Sequence, residues 1–245
     1  MEIKVLDSRL SMGEAAGKAV ETKITELLAK KEEIRIIFAA APSQNEFLAY
    51  LRRSSVIPWD KVTAFHMDEY IGLSKDHEAL FSNFLKKNLF DTVNFKNVHL
   101  LDGNSDPIQE CKRYGELLAV KPIDLVCLGI GENGHIAFND PPVADFNDPE
   151  WVKLIPLDEA CRRQQLGEGW FATLEDVPKR ALTLTIPAIM DCKTISCVVP
   201  DQRKAQAVHD TLYSTIGTDC PATILRRHPD IRLFLDAASA SKIEK

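Results

Sequence analysis

A chain of 245 residues, 45% hydrophobic and 27% charged, is long enough to bury one sizeable core and short enough to form a single α/β domain. Its formal net charge of -6, with Lys and Arg scattered among acids, excludes the basic stripe of a nucleic-acid binder, yet a few local donors suffice to hold a small anion. No stretch approaches the ~18 apolar residues of a membrane span, the N-terminus MEIKVLDSRL lacks an apolar signal core, and the six cysteines form no C-x-x-C pair. These features predict a soluble, cytoplasmic protein.

The elements follow in chain order. Ser11 and Glu14 make an S-x-x-E capping box, which predicts a helix running to about Lys30. Residues 34–41 (IRIIFAAA) read as a buried strand, 45–53 as a helix and 62–67 (VTAFHM) as a second strand. A helix at 79–90, a short strand at 98–101, a helix at 107–119 and an apolar strand at 123–130 continue the alternation. Further strands are predicted at 152–157, 181–186, 194–199 and 231–235, with a helix at 201–214. Near-continuous apolar strands separated by helices imply one doubly wound α/β domain over 1–245 with a mostly parallel sheet. The stretch from about 141 to 178, rich in Pro, Gly and charge, interrupts the pattern as a surface excursion and lid.

In such sheets ligands bind beyond the carboxyl ends of the strands. Four polar clusters lie there: Pro42 to Asn45, Asp68-Glu69-Tyr70, Gly129 to Asp140, and Asp201 to Lys204. Gly129-Ile130-Gly131-Glu132-Asn133-Gly134 spells G-x-G-x-x-G, a dinucleotide fingerprint when a long helix and a ribose-binding acid follow. Pro141 and Pro142 forbid that helix, and no strand ending in an acid lies about 20 residues on. The other reading is a loop whose Gly131 and Gly134 bring backbone N–H groups, and His135, close to a small ligand. Histidine, with an unperturbed pKa of about 6.5, suits proton shuttling near neutrality. The remaining histidines (His66, His77, His99, His209, His228) form no ligand-spaced set, so no metal is expected. Asp68 on the same rim as His135 forms with it an acid/base pair suited to proton transfer beside a carbonyl.

The runs Phe65-His66-Met67-Asp68-Glu69-Tyr70-Ile71-Gly72-Leu73 and Leu128 to Pro141 (LGIGENGHIAFNDP) resemble the glucosamine-6-phosphate deaminase/isomerase family. The likeness continues through Leu100 to Asn104, Val177 to Thr183 and Lys204-Ala205. It implies a modified Rossmann-like fold, no metal or nucleotide cofactor, and conversion of a hexosamine 6-phosphate to a ketose 6-phosphate and ammonia. Asp68 matches the base that moves a proton between C2 and C1. His135 matches the ring-opening acid/base, with Asn133 and Asp140 beside it, Asp140 standing where the family usually has Glu. Lys204 resembles the family's phosphate lysine, and Ser43 and Gln44 stand in its phosphate loop. Glu69 is counted with the substrate contacts as the neighbour of the base.

Two departures touch substrate recognition. The loop Ala40-Ala41-Pro42-Ser43-Gln44-Asn45 has no glycine, and Gly167-Glu168-Gly169-Trp170-Phe171 lacks the family's lid arginine. Arg162 and Arg163 stand close enough in sequence to replace its charge. A galactosamine-6-phosphate isomerase, a 6-phosphogluconolactonase-type hydrolase and a non-catalytic sugar-phosphate sensor are the alternatives. The expected partner is a small sugar phosphate, with no nucleic acid or membrane; a homo-oligomer is left open.

Overall fold

The computed structural model describes residues 1–157 and 159–244. Seven strands, all pairing in parallel, build the main sheet: β1 (Glu2–Leu6), β2 (Ile34–Phe38), β3 (Val62–His66), β5 (Asn97–His99), β6 (Ile123–Leu128), β9 (Cys192–Val199) and β10 (Ile231–Asp236). Their spatial order is β1-β10-β9-β6-β2-β3-β5. Side chains alternate faces along a strand, so Ile36 and Phe38 join one apolar cluster while Ile37 joins the other. Both faces therefore need cover. Helices α1 (Arg9–Leu28), α2 (Asn45–Arg53) and α3 (Phe81–Leu85) contribute to the first cluster, and α4 (Pro107–Ala119), α6 (Ile186–Met190) and α7 (Ala205–Tyr213) to the second.

A second sheet was not foreseen. After His66 the chain leaves the main sheet, and β4 (Asp68–Tyr70) pairs antiparallel with β8 (Arg180–Leu184), which pairs antiparallel with β7 (Val152–Pro156). The strands expected at 152–157 and 181–186 thus form a separate three-stranded sheet, order β4-β8-β7. The Leu184 N–H donates to the Met67 carbonyl at 2.8 Å and fixes the bend between β3 and β4. The predicted excursion also contains a helix, α5 (Glu159–Gly167), tied down where the Tyr70 hydroxyl donates to Gln165 at 2.7 Å.

Other boundaries moved for local reasons. The first helix is capped by Ser8, not Ser11: the Ser8 hydroxyl accepts from the Ser11 N–H, and Ser11 answers at the Ser8 N–H. The helix expected at 79–90 is α3 followed by a π-helical turn, Lys86–Phe90. The helix expected from 201 begins at Ala205, after a 3-10 turn over Gln202–Lys204. No long helix follows the G-x-G-x-x-G loop, where the chain runs through turns to Asp140. Among the described residues no helix is long and apolar enough to cross a membrane.

Candidate active site

The carboxyl ends of β3, β2, β6 and β9, four neighbours at the centre of the sheet, open into one solvent-accessible cleft. Its floor and sides include Ser43 and Gln44 after β2, Asp68 after β3, Gly129, Gly131 and His135 after β6, and Lys204 after β9. Helix α5 and its end supply Gln164, Gln165, Gly167 and Glu168 as a roof. The four polar clusters do converge.

Asp68 opens β4, its backbone held opposite Thr183 of β8. The side chain is buried, lines the cleft, and makes no hydrogen bond among the described residues. Burial, reinforced by the nearby negative charges of Glu69, Glu168 and Asp140, pushes its carboxyl well above the ordinary carboxylate range. A base with raised proton affinity and no structural partner is free to exchange a proton with a ligand.

His135 is held from behind. Its Nδ1 lies 2.8 Å from Asn133 Oδ1 and 2.9 Å from Asp140 Oδ1, and Asn133 Nδ2 donates to Asp140 at 2.8 Å. Both Nδ1 neighbours are acceptors, which assigns a proton to Nδ1, and Nε2 has no hydrogen-bond partner among the described residues. Burial works against ionising Asp140, but the adjacent imidazole and hydrogen bonds from His135, Asn133 and Cys161 outweigh it and bring the carboxyl down to about 2. Although one methylene shorter than glutamate, Asp140 reaches the ring.

The glycines have steric causes. A Cβ on Gly131 would stand 2.1–2.3 Å from three atoms of the His135 ring, so only glycine lets the imidazole lie against this loop. Gly134 takes φ +82°, where a side chain is strained, and a Cβ would meet Cys220 Sγ at 2.4 Å. Gly134 does not line the cleft; it shapes the turn below it. Two non-glycine residues with positive φ, Ala137 (51°) and Asp201 (88°), also line the cleft. Asp201 is held there by Asp236, which accepts its N–H at 3.1–3.2 Å. The Asp201 carboxylate caps the turn that carries Lys204. Strain of this kind persists only where the surroundings enforce it.

Lys204 is 9% exposed and has no ion-pair or hydrogen-bond partner among the described residues. Burial lowers its proton affinity, and the negative charge of Glu168 opposes that fall. Glu168 responds in the opposite direction, raised by burial and restrained chiefly by Lys204.

Besides Gly134, three expected substrate contacts lie elsewhere. Glu69 points away from the cleft, buried, and its oxygens accept the backbone N–H groups of Tyr70, Phe81 and Ser82 at 2.9–3.1 Å. Alternation along β4 explains this, since Asp68 and Glu69 face opposite sides. Arg162 donates to the carbonyls of Leu174 and Val177 and braces the lid. Arg163 is exposed and paired with Glu159. Neither arginine lines the cleft. Arg9 and Glu168 do line it, and sequence reasoning missed both.

The family model for glucosamine-6-phosphate isomerases and 6-phosphogluconolactonases matches residues 7–233. The chain belongs to this family. It is 35% identical over 242 residues to the glucosamine-6-phosphate deaminase of Bacillus cereus (strain B4264), covering 98% of this chain and 88% of that one. Over the same span it is 36% identical to the enzyme of that name from Bacillus thuringiensis (strain Al Hakam). Among solved structures, a monomeric glucosamine-6-phosphate deaminase superposes with a TM-score of 0.90 at 27% identity, covering 98% of this chain and 99% of that one. The 6-phosphogluconolactonase of Thermotoga maritima superposes at 0.78 and 20% identity, covering 96% and 99%, and shares the fold. Within the family's architecture, the cleft described here brings the Asp68 and His135 regions together from opposite sides of β2.

Proposed function

We propose that this chain is a hexosamine 6-phosphate deaminase of the isomerising type, acting on glucosamine 6-phosphate. The observation that carries the reading is the presence, in the lining of one cleft, of an uncommitted buried carboxyl (Asp68) and an imidazole held at Nδ1 by Asn133 and Asp140 (His135). The deaminase relatives, matched over nearly the whole chain, support it.

Each step uses groups already placed. His135 Nε2 takes the proton of the sugar's O1 hydroxyl and returns it to the ring oxygen, which breaks the C1–O5 bond and opens the ring. Asp140 and Asn133 keep the imidazole oriented while it gains and loses charge. Asp68 then removes the C2 proton while O1 gains a proton from the substrate's ammonium group, giving an enolamine, and Asp68 returns its proton at C1. The product is a 2-imine, to which water adds at C2; ammonia leaves and a ketose 6-phosphate remains. A raised pKa makes Asp68 a stronger base than an exposed carboxylate, better matched to a carbon acid.

No disulfide joins the cysteines among the described residues, and a phosphorylated sugar is a metabolite of the cell interior, so we place the enzyme in the cytoplasm. All residues of the proposed chemistry come from one chain; the reading needs neither a second copy nor a nucleic acid.

The deciding assay follows ammonia and ketose 6-phosphate from glucosamine 6-phosphate, with galactosamine 6-phosphate and 6-phosphogluconolactone in parallel. Turnover of the first, with C2 proton exchange that Asp68→Asn abolishes, is expected. Faster hydrolysis of the lactone, or ammonia release unchanged in Asp68→Asn, would overturn the assignment.

A further inference from the structure

Three cationic side chains line the cleft: Arg9, Arg203 and Lys204. Arg203 is more than half exposed and already sits 3.4 Å from Glu132 and 3.5 Å from Asp201. Lys204 is buried and unpaired, but the carboxylate of Glu168 shares its end of the cleft and offsets its charge. A phosphate dianion facing Lys204 alone would be poorly neutralised.

The loop after β2 does little to help. Pro42 has no N–H, the Gln44 N–H is spent on the Ala41 carbonyl at 2.9 Å, and the Gln44 side-chain amide donates to Ser43 Oγ and to the Val198 carbonyl. Ser43 keeps its hydroxyl proton, because its oxygen only accepts from Gln44. The Gln44 Oε1, fully buried, has no partner among the described residues.

Arg9 meets this loop from the other side. The Ser8 cap makes it the first residue of α1. Its Nη2 donates to the Pro42 carbonyl, and its Nε lies 2.8 Å from Glu46 Oε2 in the first turn of α2. Nη2 is thus hydrogen-bonded and Nε ion-paired without a hydrogen bond of its own, while Nη1 is uncommitted among the described residues. A guanidinium tethered at the cleft wall by one hydrogen bond and one ion pair presents planar donors suited to phosphate.

We propose that Arg9 is a specificity-determining residue, binding the substrate's phosphoryl group together with Ser43 and Lys204. The proposal rests on the sugar-phosphate reading above, and Glu46 acts in it as a positioning residue. Nothing local in the sequence marks Arg9 for this task; its approach to Pro42 spans 33 positions.

The experiment titrates inorganic phosphate into the wild type, Arg9→Gln and Arg9→Lys by calorimetry, and measures kcat and KM with glucosamine 6-phosphate and with unphosphorylated glucosamine. In Arg9→Gln the phosphate Kd and the KM for the phosphorylated sugar are expected to rise together by about 10- to 100-fold, the range of one charge-assisted contact. Its kcat should stay within about twofold and kcat/KM for glucosamine should be unchanged, the pattern of lost ground-state binding. Arg9→Lys should recover part of the loss, since it keeps the charge and lacks the fork. An unchanged phosphate Kd in Arg9→Gln, or equal losses on both sugars, overturns the proposal. So does a wild type that fails to bind phosphate. If the wild type turns over no sugar phosphate, the functional reading falls, while the phosphate titration still decides the role of Arg9.

Discussion

Asp140 Oδ1 and His135 Nδ1 stand 2.9 Å apart, with Asn133 bonded to both residues, so the ring's orientation is set before any ligand arrives. Replacing Asp140 by Asn removes the carboxylate beside Nδ1 and offers that nitrogen an ambiguous partner. Asp140→Asn should lower kcat by about 100-fold, in the range general acid/base groups supply, with KM little altered. Retained kcat would mean that His135 needs no charged partner. The same carboxyl is linked to acid stability. It is held at about 2 in the fold against an ordinary 3.8, and burial opposes that fall less than His135 and the hydrogen bonds promote it. Its contribution, about 2 kcal/mol by linkage, is full above about pH 4 and lost as pH falls through 2. Denaturant midpoints of wild type and Asp140→Asn should therefore converge on acidification.

Asp68 carries the opposite linkage. Burial and three neighbouring carboxylates raise its folded-state pKa, so ionising it costs stability, and that cost grows as pH rises through the raised value. Asp68→Asn should abolish turnover and stabilise the fold at neutral pH by about 1 kcal/mol, an increase of roughly 2–4 °C in Tm. The wild-type kcat profile should show its acid limb above the range of an exposed carboxylate. A less stable Asp68→Asn protein would show that the carboxyl has a structural partner after all.

Much of this arrangement was legible from the chain. The apolar runs of β2, β3 and β6 announce buried parallel strands, and polar residues directly after them announce the cleft. Three parts were not legible, each for a physical reason. Strand β1 is short, at an edge and mostly exposed, so EIKVL shows no burial pattern. The run from Val62 to Tyr70 is buried throughout, which hides the bend at Met67 where the chain changes sheets. Arg9 and Glu168 reach the cleft from elements distant in sequence, and only the packing of α1 against α2 and the tie of α5 to Tyr70 bring them in. Glu69 misleads for a simpler reason: adjacency to a base says nothing about which face a side chain takes.

Glu69 offers its own test. One buried carboxylate joins β4 to the first turn of α3 by accepting three backbone N–H groups. Glu69→Gln keeps the size but turns an NH₂ toward donors that need an acceptor. The expected loss is about 2–3 kcal/mol, the penalty for leaving buried donors unmatched, or roughly 5–10 °C in Tm at this chain length. KM of the folded fraction should change little, since the side chain does not line the cleft. A large KM effect with unchanged Tm would return Glu69 to the substrate contacts.

Gly131 isolates the placement of the imidazole from the stability of the fold. Its φ is not in the left-handed region, so alanine is acceptable to the backbone, and its N–H bond to the His135 carbonyl at 2.9 Å can persist. The added methyl would nonetheless lie 2.1–2.3 Å from the ring atoms of His135, far inside contact distance. The ring must swing away, and in doing so it leaves Asn133 and Asp140. Gly131→Ala should therefore lower kcat by about 100-fold through the lost acid/base geometry, while its unfolding midpoint stays within a few degrees of wild type. Binding of inorganic phosphate should be unaffected, because Ser43, Arg9 and Lys204 lie on other elements. Full activity in this variant would show that the imidazole does not work from the position it occupies here.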